Sequence, residues 1–320
     1  AGLARPRASG RQRALLIGVN YTGTKAQLRG CINDVQNLRR LLTEVYGWRP
    51  GCIRTLTDED ARALPTRRNI EEALAWLAEG AQPGDALFLH FSGHGAQKAD
   101  PQGLEEDGMN ETILPVDFQH AGMITDDRIS DLCVKPLPEG VRLTAVMDCC
   151  HSGTGLDLPF EWRSGRGWRE ETNPFHCPSD VQLFSGCQDD GTSSDAAAFY
   201  GASGGAMTTA FCDVLRRDPS PTYPELLDRL HQQLRHGGFR QRPALTSSQC
   251  FDPERPFLLT DAVPNLNPHL GRTVRRRFEP KARPMSGPLA DMLGIGIGLV
   301  GGLLAGELAG GVLAGILGGA

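Results

Sequence analysis

Short apolar runs that alternate with helix-periodic segments constrain this chain more than any other feature. Residues 14–19 are an apolar run, and residues 31–46 repeat apolar side chains at helical spacing through Val35, Leu38, Leu41, Leu42 and Val45. Residues 52–56 then alternate like a strand. Thr66 after Pro65 caps a helix carried by Ile70, Leu74 and Leu77, and the turn Pro83-Gly84-Asp85 leads into a second apolar run over residues 86–91. A third run covers residues 141–147. Strands alternating with helices predict an α/β fold around a mostly parallel sheet, with ligands gathering at the carboxyl ends of the strands.

Further along, residues 182–185 resume the sheet, helices are expected at 206–217 and 223–236, and extended segments at 243–247 and 256–259. Residues 158–179 lack periodicity and read as an exposed linker. Residues 1–12, rich in Arg, Gly and Pro, read as a solvated basic arm, and residues 261–287 as a Pro/Arg-rich tether. The 320 residues carry 33 Lys and Arg against 38 Asp and Glu, a net charge of -5, which argues against nucleic acid as a partner. Nine scattered cysteines, an odd number, do not make a disulfide framework and imply reduced thiols on a cytoplasmic protein.

Two polar clusters sit where strands end. Residues 87–91 run into Ser92-Gly93-His94-Gly95, whose glycines turn the backbone and leave an imidazole exposed at the strand end for proton transfer. The next apolar run opens into Asp148-Cys149-Cys150-His151-Ser152-Gly153. A Cys and a His within reach of each other make an activated thiolate nucleophile. Alternation along the strand sends Asp148 and Cys150 to one side and Cys149 to the other, which favours Cys150 as nucleophile. Zinc is a poor fit, because Cys149, Cys150, His151, His176 and Cys177 lack paired ligand spacing.

These two clusters resemble the paired signatures of the metacaspases, caspase-like cysteine peptidases of plants, algae, fungi and protists. The resemblance runs from Leu15-Leu16-Ile17-Gly18-Val19-Asn20-Tyr21 through Phe184-Ser185-Gly186-Cys187 to Arg255-Pro256-Phe257, about residues 13 to 260. It implies a three-layer α-β-α sandwich, with a large-subunit-like half at 13–157, the linker at 158–179 and a small-subunit-like half at 180–260. It makes His94 the general base and Cys150 the nucleophile of a peptidase cutting protein or peptide substrates after Arg or Lys. Cys31, Asp34, Ser92 and Asp148 match the family's primary specificity pocket, where carboxylates can hold a guanidinium through charged hydrogen bonds. Read alone, Asp34 fits a helix N-terminal acid better than a pocket residue.

Asp126, Asp127 and Asp157 match positions that supply oxygen ligands to an activating Ca²⁺, and Asn110 stands where another aspartate is usual. The amide oxygen can still ligate with one negative charge fewer, or Glu111 can substitute. Read without the family, Asp126 and Asp127 are a helix-start acidic pair and Asp157 a loop acid. The short linker resembles the type I metacaspases, without their recognisable N-terminal prodomain. Arg163, Arg166 and Arg169 in that linker offer sites for self-processing, unless they serve only solubility. The family resemblance also implies regulated cell death or protein quality control as the setting.

Residues 288–320 are apolar and glycine-rich, with Gly294, Gly298, Gly302, Gly306 and Gly310 drawing a stripe every four residues and Glu307 in their midst. Such a tail suits membrane association, self-association through glycine packing, or capture of misfolded chains. The last leaves a second functional reading, a scaffold or aggregate-binding protein that acts without turnover. An intact His94 and Cys150 favour the enzyme.

Overall fold

The computed structural model describes residues 10–149, 155–188, 205–239, 241–265 and 269–279. Cys150 to Gly153, most of the N-terminal arm and the glycine-rich tail therefore lie outside the described residues.

The first apolar run becomes strand β1 (Gln12–Gly18), flanked by β2 (Ile53–Thr57) and β3 (Ala86–Ser92). Next to β3 comes β7 (Arg142–Asp148), then β11 (Asp180–Gln188). All four of these pairings are parallel. The sheet continues antiparallel through β12 (Gln241–Ser247), β8 (Phe160–Arg163) and β9 (Gly167–Glu170), giving eight strands in the order β2-β1-β3-β7-β11-β12-β8-β9. Strand β1 shows why both faces are covered. Leu15 and Ile17 point into one apolar core and Ala14 and Leu16 into the other, as the two-residue period of a strand requires.

Helix α2 (Arg67–Ala78) seals the first core through Ile70, Ala73, Leu74 and Leu77, with α4 (Asp126–Cys133) beside it and the one-turn α3 (Phe118–Ala121) nearby. The Thr66 hydroxyl accepts from the Asn69 amide as the expected N-cap. The second core is closed by α1 (Cys31–Arg40), α5 (Ala206–Arg217) and α6 (Tyr223–His236). Thr222 and Glu225 form a capping box that fixes the start of α6. Helices on both faces of the sheet make the expected three-layer α-β-α sandwich.

The structure differs from the sequence expectation in three places. Residues 158–179 are not without regular structure: β8 and β9 form a hairpin on the main sheet, with Trp162 and Trp168 packed edge to face at 5.3 Å. The hairpin was illegible because its alternation spans only four residues per strand, between glycines. The described part of the tether, residues 261–265 and 269–279, is docked rather than loose. Val263 N–H donates to Asp180, and β13 (Gly271–Arg272) pairs with β10 (Phe175–His176). Residues 256–259 make only an isolated bridge, Thr222 to Pro256.

A small second sheet was not foreseen. Strands β4 (Gly95–Ala99), β5 (Met109–Ile113) and β6 (Ile124–Thr125) form it directly after His94. Among the described residues no helix is long and apolar enough to cross a membrane.

Candidate active site

Parallel register brings the two sequence clusters side by side. Ser92, the last residue of β3, is the partner of Asp148, the last residue of β7. His94 and Cys150 each follow two residues later, at equal offsets from that pair.

His94 is 2% exposed, where the sequence suggested an exposed imidazole. The small sheet and the 20–28 loop bury it, and burial lowers its pKa, so it is held neutral. Its Nε2 lies 2.7 Å from the Ala26 carbonyl oxygen. A carbonyl only accepts, so the proton sits on Nε2 and Nδ1 is the basic nitrogen. The Tyr21 hydroxyl donates to the Leu114 carbonyl at 2.6 Å and accepts from the His94 amide at 3.1 Å, with the two rings 4.7 Å apart. Tyr21 does this at φ 52°, an unfavourable conformation for a bulky side chain that the two hydrogen bonds hold in place. Neither Tyr21 nor Ala26 stood out in the sequence, and Ala26 could not, since its backbone makes the contact.

Cys149 points into the first core, 5% exposed. Asp148 points to the opposite face, where its Oδ2 accepts from the Thr208 amide of α5 at 2.6 Å. The alternation expected from the strand thus holds for these two residues.

Asp34, Ser92, Cys31 and Asp148 come together beneath the start of α5. Asp34 Oδ2 accepts from the Ser92 hydroxyl at 2.7 Å and from the Gly205 amide at 2.8 Å. Gly205 is there because nothing larger fits: a Cβ would collide with Asp148 Oδ2 and lie 2.8 Å from Asp34 Oδ2. Both carboxyls are raised above the ordinary range. For Asp34 the causes are burial and then the Asp148 charge, against relief from Ser92 and Gly205. For Asp148 the cause is burial, against relief from backbone and side-chain bonds at Thr208. Burial pushes the Cys31 thiol up to about 12, so it stays neutral beside the acids. Under the pocket, His90 Nε2 lies 3.2 Å from Thr208 Oγ1, and burial takes this imidazole down to about 3. His90 is thus a neutral prop for α5, in a strand position that gave no sign of it.

The third group gathers on β5 and α4. Asp126 accepts from the backbone amides of Glu111 at 3.2 Å and Asp127 at 2.8 Å, and Thr125 caps α4 just before it. Asn110 Nδ2 lies 3.5 Å from Asp127 Oδ2, while its buried Oδ1 has no hydrogen-bond partner among the described residues. Asp157 stands in the left-handed region at φ 56° and pairs with Arg272, which also reaches Asp127 at 3.6 Å and Glu105 at 4.0 Å. Burial, then the Glu111 charge, pushes Glu105 up to about 8, and burial likewise raises Asp126. Glu105 and Arg272 were missed because each is distant in sequence from the acids it joins. Among the described residues no set of three or more His, Cys, Asp or Glu is disposed to hold a metal ion. The donor chemistry nonetheless fits a hard cation: carboxylates around one orphaned amide oxygen.

Comparison with known proteins supplies the family. Residues 12–159 match the family described as metacaspase, peptidase C14 domain. The metacaspase-1 of Yarrowia lipolytica is 40% identical over 299 residues, covering 78% of this chain and 64% of that protein. The metacaspase-1 of Mycosarcoma maydis is 39% identical over 298 residues, covering 78% of this chain and 73% of its own. A protein of Geobacter sulfurreducens with a solved crystal structure has the same fold, with a TM-score of 0.53 and 23% identity, over 76% of this chain and 96% of that one. The chain thus spans 64% to 73% of the length of the two fungal relatives. By this likeness in sequence over most of its length, the chain belongs to the metacaspase family, cysteine-type endopeptidases built on a caspase-like α-β-α sandwich.

Proposed function

We propose that this chain is an endopeptidase that cuts protein substrates after Arg or Lys, with Cys150 as nucleophile, His94 as base and Ca²⁺ as activator. The observation that carries the specificity is the buried pair Asp34 and Asp148, facing each other across Gly205. Two carboxyls kept from water, and bonded only to neutral donors among the described residues, are costly until a cation joins them. A guanidinium or ammonium side chain is the complement. Cys31 and Ser92 complete the wall.

In the reaction, the Cys150 thiol gives its proton to His94 Nδ1 and the thiolate attacks the scissile carbonyl carbon. Collapse of the tetrahedral species breaks the C–N bond, and the leaving amine takes the proton from His94. Water, deprotonated by Nδ1, then hydrolyses the thioester, and the proton returns to the sulfur. The hydrogen bond from Nε2 to Ala26 keeps the imidazole in the tautomer that both steps require.

Asp126, Asp127, Asp157 and Asn110 would hold the activating ion, with Glu105 and Glu111 beside them. Bound there, Ca²⁺ would supply positive charge that neutralises acids next to β7. Regulated cell death or protein quality control, in the cytoplasm, is the setting proposed from the family alone. Membrane or self-association through residues 288–320 is a separate proposal on a segment outside the described residues.

The test is hydrolysis of matched fluorogenic peptides ending in Arg or Asp, with Ca²⁺ titrated against chelator. Cleavage after Arg alone, dependent on Ca²⁺ and lost in Cys150→Ala, is the expected result. Cleavage after Asp, or full activity of Cys150→Ala, would overturn the reading.

A further inference from the structure

The acidic cluster already contains a cation of the chain's own. Arg272 pairs with Asp157, lies 3.6 Å from Asp127 and 4.0 Å from Glu105, and its side chain is only 14% exposed. It arrives there on a strap that crosses the cluster. Thr273 N–H donates to the Pro174 carbonyl, Arg275 and Arg276 N–H both donate to Asn173 Oδ1, and Phe278 N–H donates to the Gly103 carbonyl. Arg275 also pairs with Glu170. Gly103 takes φ 67°, and a Cβ there would strike the Phe278 carbonyl oxygen, so the loop carrying Glu105 is shaped to receive the strap.

One guanidinium does not satisfy this site. Three carboxylates, on Glu105, Asp127 and Asp157, lie within 4.0 Å of this one positive charge, and Glu111 and Asp126 add their charges to the same acidic group. Asn110 is 6% exposed; its Nδ2 faces Asp127, and its buried Oδ1 has no hydrogen-bond partner among the described residues. A divalent ion brings twice the charge in a fraction of the volume, and it can take the carbonyl oxygen of Asn110, which the guanidinium leaves unpartnered. An ion held on Asp127 and Asp157 would compete with the Arg272 guanidinium for the same carboxylates and set like charges side by side.

We propose that Arg272 is a built-in competitor for the cation site, so that Ca²⁺ binding and docking of the 271–278 strap exclude each other. The proposal rests on the reading of the acidic cluster as a Ca²⁺ site. Docked, the strap sets the concentration of Ca²⁺ needed for entry. Displaced, it uncovers the 102–105 loop and frees the Arg272 guanidinium to solvent. The cluster thereby becomes a switch between two states of the C-terminal segment.

The experiment uses the full chain carrying Cys150→Ala, which prevents self-digestion and makes the readout independent of activity. Backbone hydrogen exchange is followed at Thr273, Arg275, Arg276 and Phe278, with CaCl₂ or with chelator. In parallel, calorimetry measures Ca²⁺ affinity with and without Arg272→Gln, with Arg275→Gln as a strap variant that leaves the acids alone. A competitor docked in about 90% of molecules weakens apparent affinity about tenfold, so Arg272→Gln is expected to tighten binding by that factor. The four amides are expected to lose protection when Ca²⁺ is added. If Ca²⁺ binds while these amides stay protected and Arg272→Gln leaves affinity unchanged, the exclusion is overturned and the Ca²⁺ site stands. If neither chain takes up Ca²⁺, the site reading itself fails and the exclusion with it. The exchange arm needs no substitution at Arg272, so a variant that folds badly does not shield the proposal.

Discussion

In the proposed specificity pocket, Asp34 would serve recognition at the expense of stability. Its carboxyl and that of Asp148 hold their protons above the ordinary carboxylate value near 4. Between that value and the raised folded values, the folded chain binds more protons than the unfolded one, so stability falls as pH rises through the window. A bound Arg side chain reverses the sign by favouring the ionised pair. Asp34→Asn keeps an oxygen for Ser92 and Gly205 but removes one buried charge. The variant is expected to melt higher than the wild type at pH 8, with the difference shrinking towards pH 4. Its kcat/KM for Arg peptides should fall about thirtyfold or more, the counterpart of about 2 kcal/mol for a broken buried charge pair. Unchanged cleavage after Arg would remove Asp34 from the pocket. Tyr21 makes the complementary case for the base. Tyr21→Phe leaves the His94 amide and the Leu114 carbonyl without their shared hydroxyl. Misplacement of the imidazole should cost about tenfold or more in kcat with little change in KM, measured on the same Arg peptide. A rise in KM with kcat intact would make Tyr21 part of the binding surface instead.

At the scale of elements, what could be read in advance followed the strength of the periodicity. Helices α5 and α6 match the segments expected at 206–217 and 223–236, because their apolar faces repeat over three turns or more. Thr66 was legible as a cap since a lone Thr after Pro, ahead of apolar residues at helical spacing, has one simple local role. The β8–β9 hairpin and the small sheet after His94 were not, as their strands are at most five residues long and carry mixed side chains. Within the candidate site, His94, Asp34, Ser92 and Asp148 were visible as residue types in a pattern. The parts contributed by Ala26 and Gly205 run through the backbone and leave no trace in side-chain chemistry. Gly205 shows how such a silent position can be tested. Gly205→Ala pushes a methyl against Asp148 and Asp34 at the first turn of α5. The expected outcome is a cost of about 1–3 kcal/mol in urea unfolding together with loss of Arg cleavage. Retention of full activity would mean that α5 can withdraw and that the pocket is looser than its geometry.

Across the whole molecule, the sheet separates chemistry from anchorage. The carboxyl ends of β3 and β7 carry Ser92 and Asp148, whereas the opposite end of β7 starts at Arg142, which is 1% exposed. There the guanidinium donates to Asp180 at 2.7 Å, to the Tyr223 hydroxyl at 3.0 Å, to Thr144 at 3.1 Å and to the Asp261 carbonyl at 3.3 Å. Asp180 in turn accepts from Val263 N–H at 2.7 Å. One buried ion pair thus ties β7 and β11 to α6 and to the chain that leads towards the strap. Such a pair adds little net stability compared with apolar packing, yet removing one partner strands the other charge. Arg142→Met is therefore expected to lower unfolding stability by about 3–5 kcal/mol in a urea titration, and Arg142→Met with Asp180→Leu to recover a large part of it. KM for the Arg peptide should stay at the wild-type value in whatever fraction of the single variant remains folded, since Arg142 and Asp148 stand at opposite ends of a seven-residue strand. If KM rises in step with the loss of stability, the two ends of the sheet are coupled, and the network at Arg142 helps to set the pocket as well as to hold the sandwich.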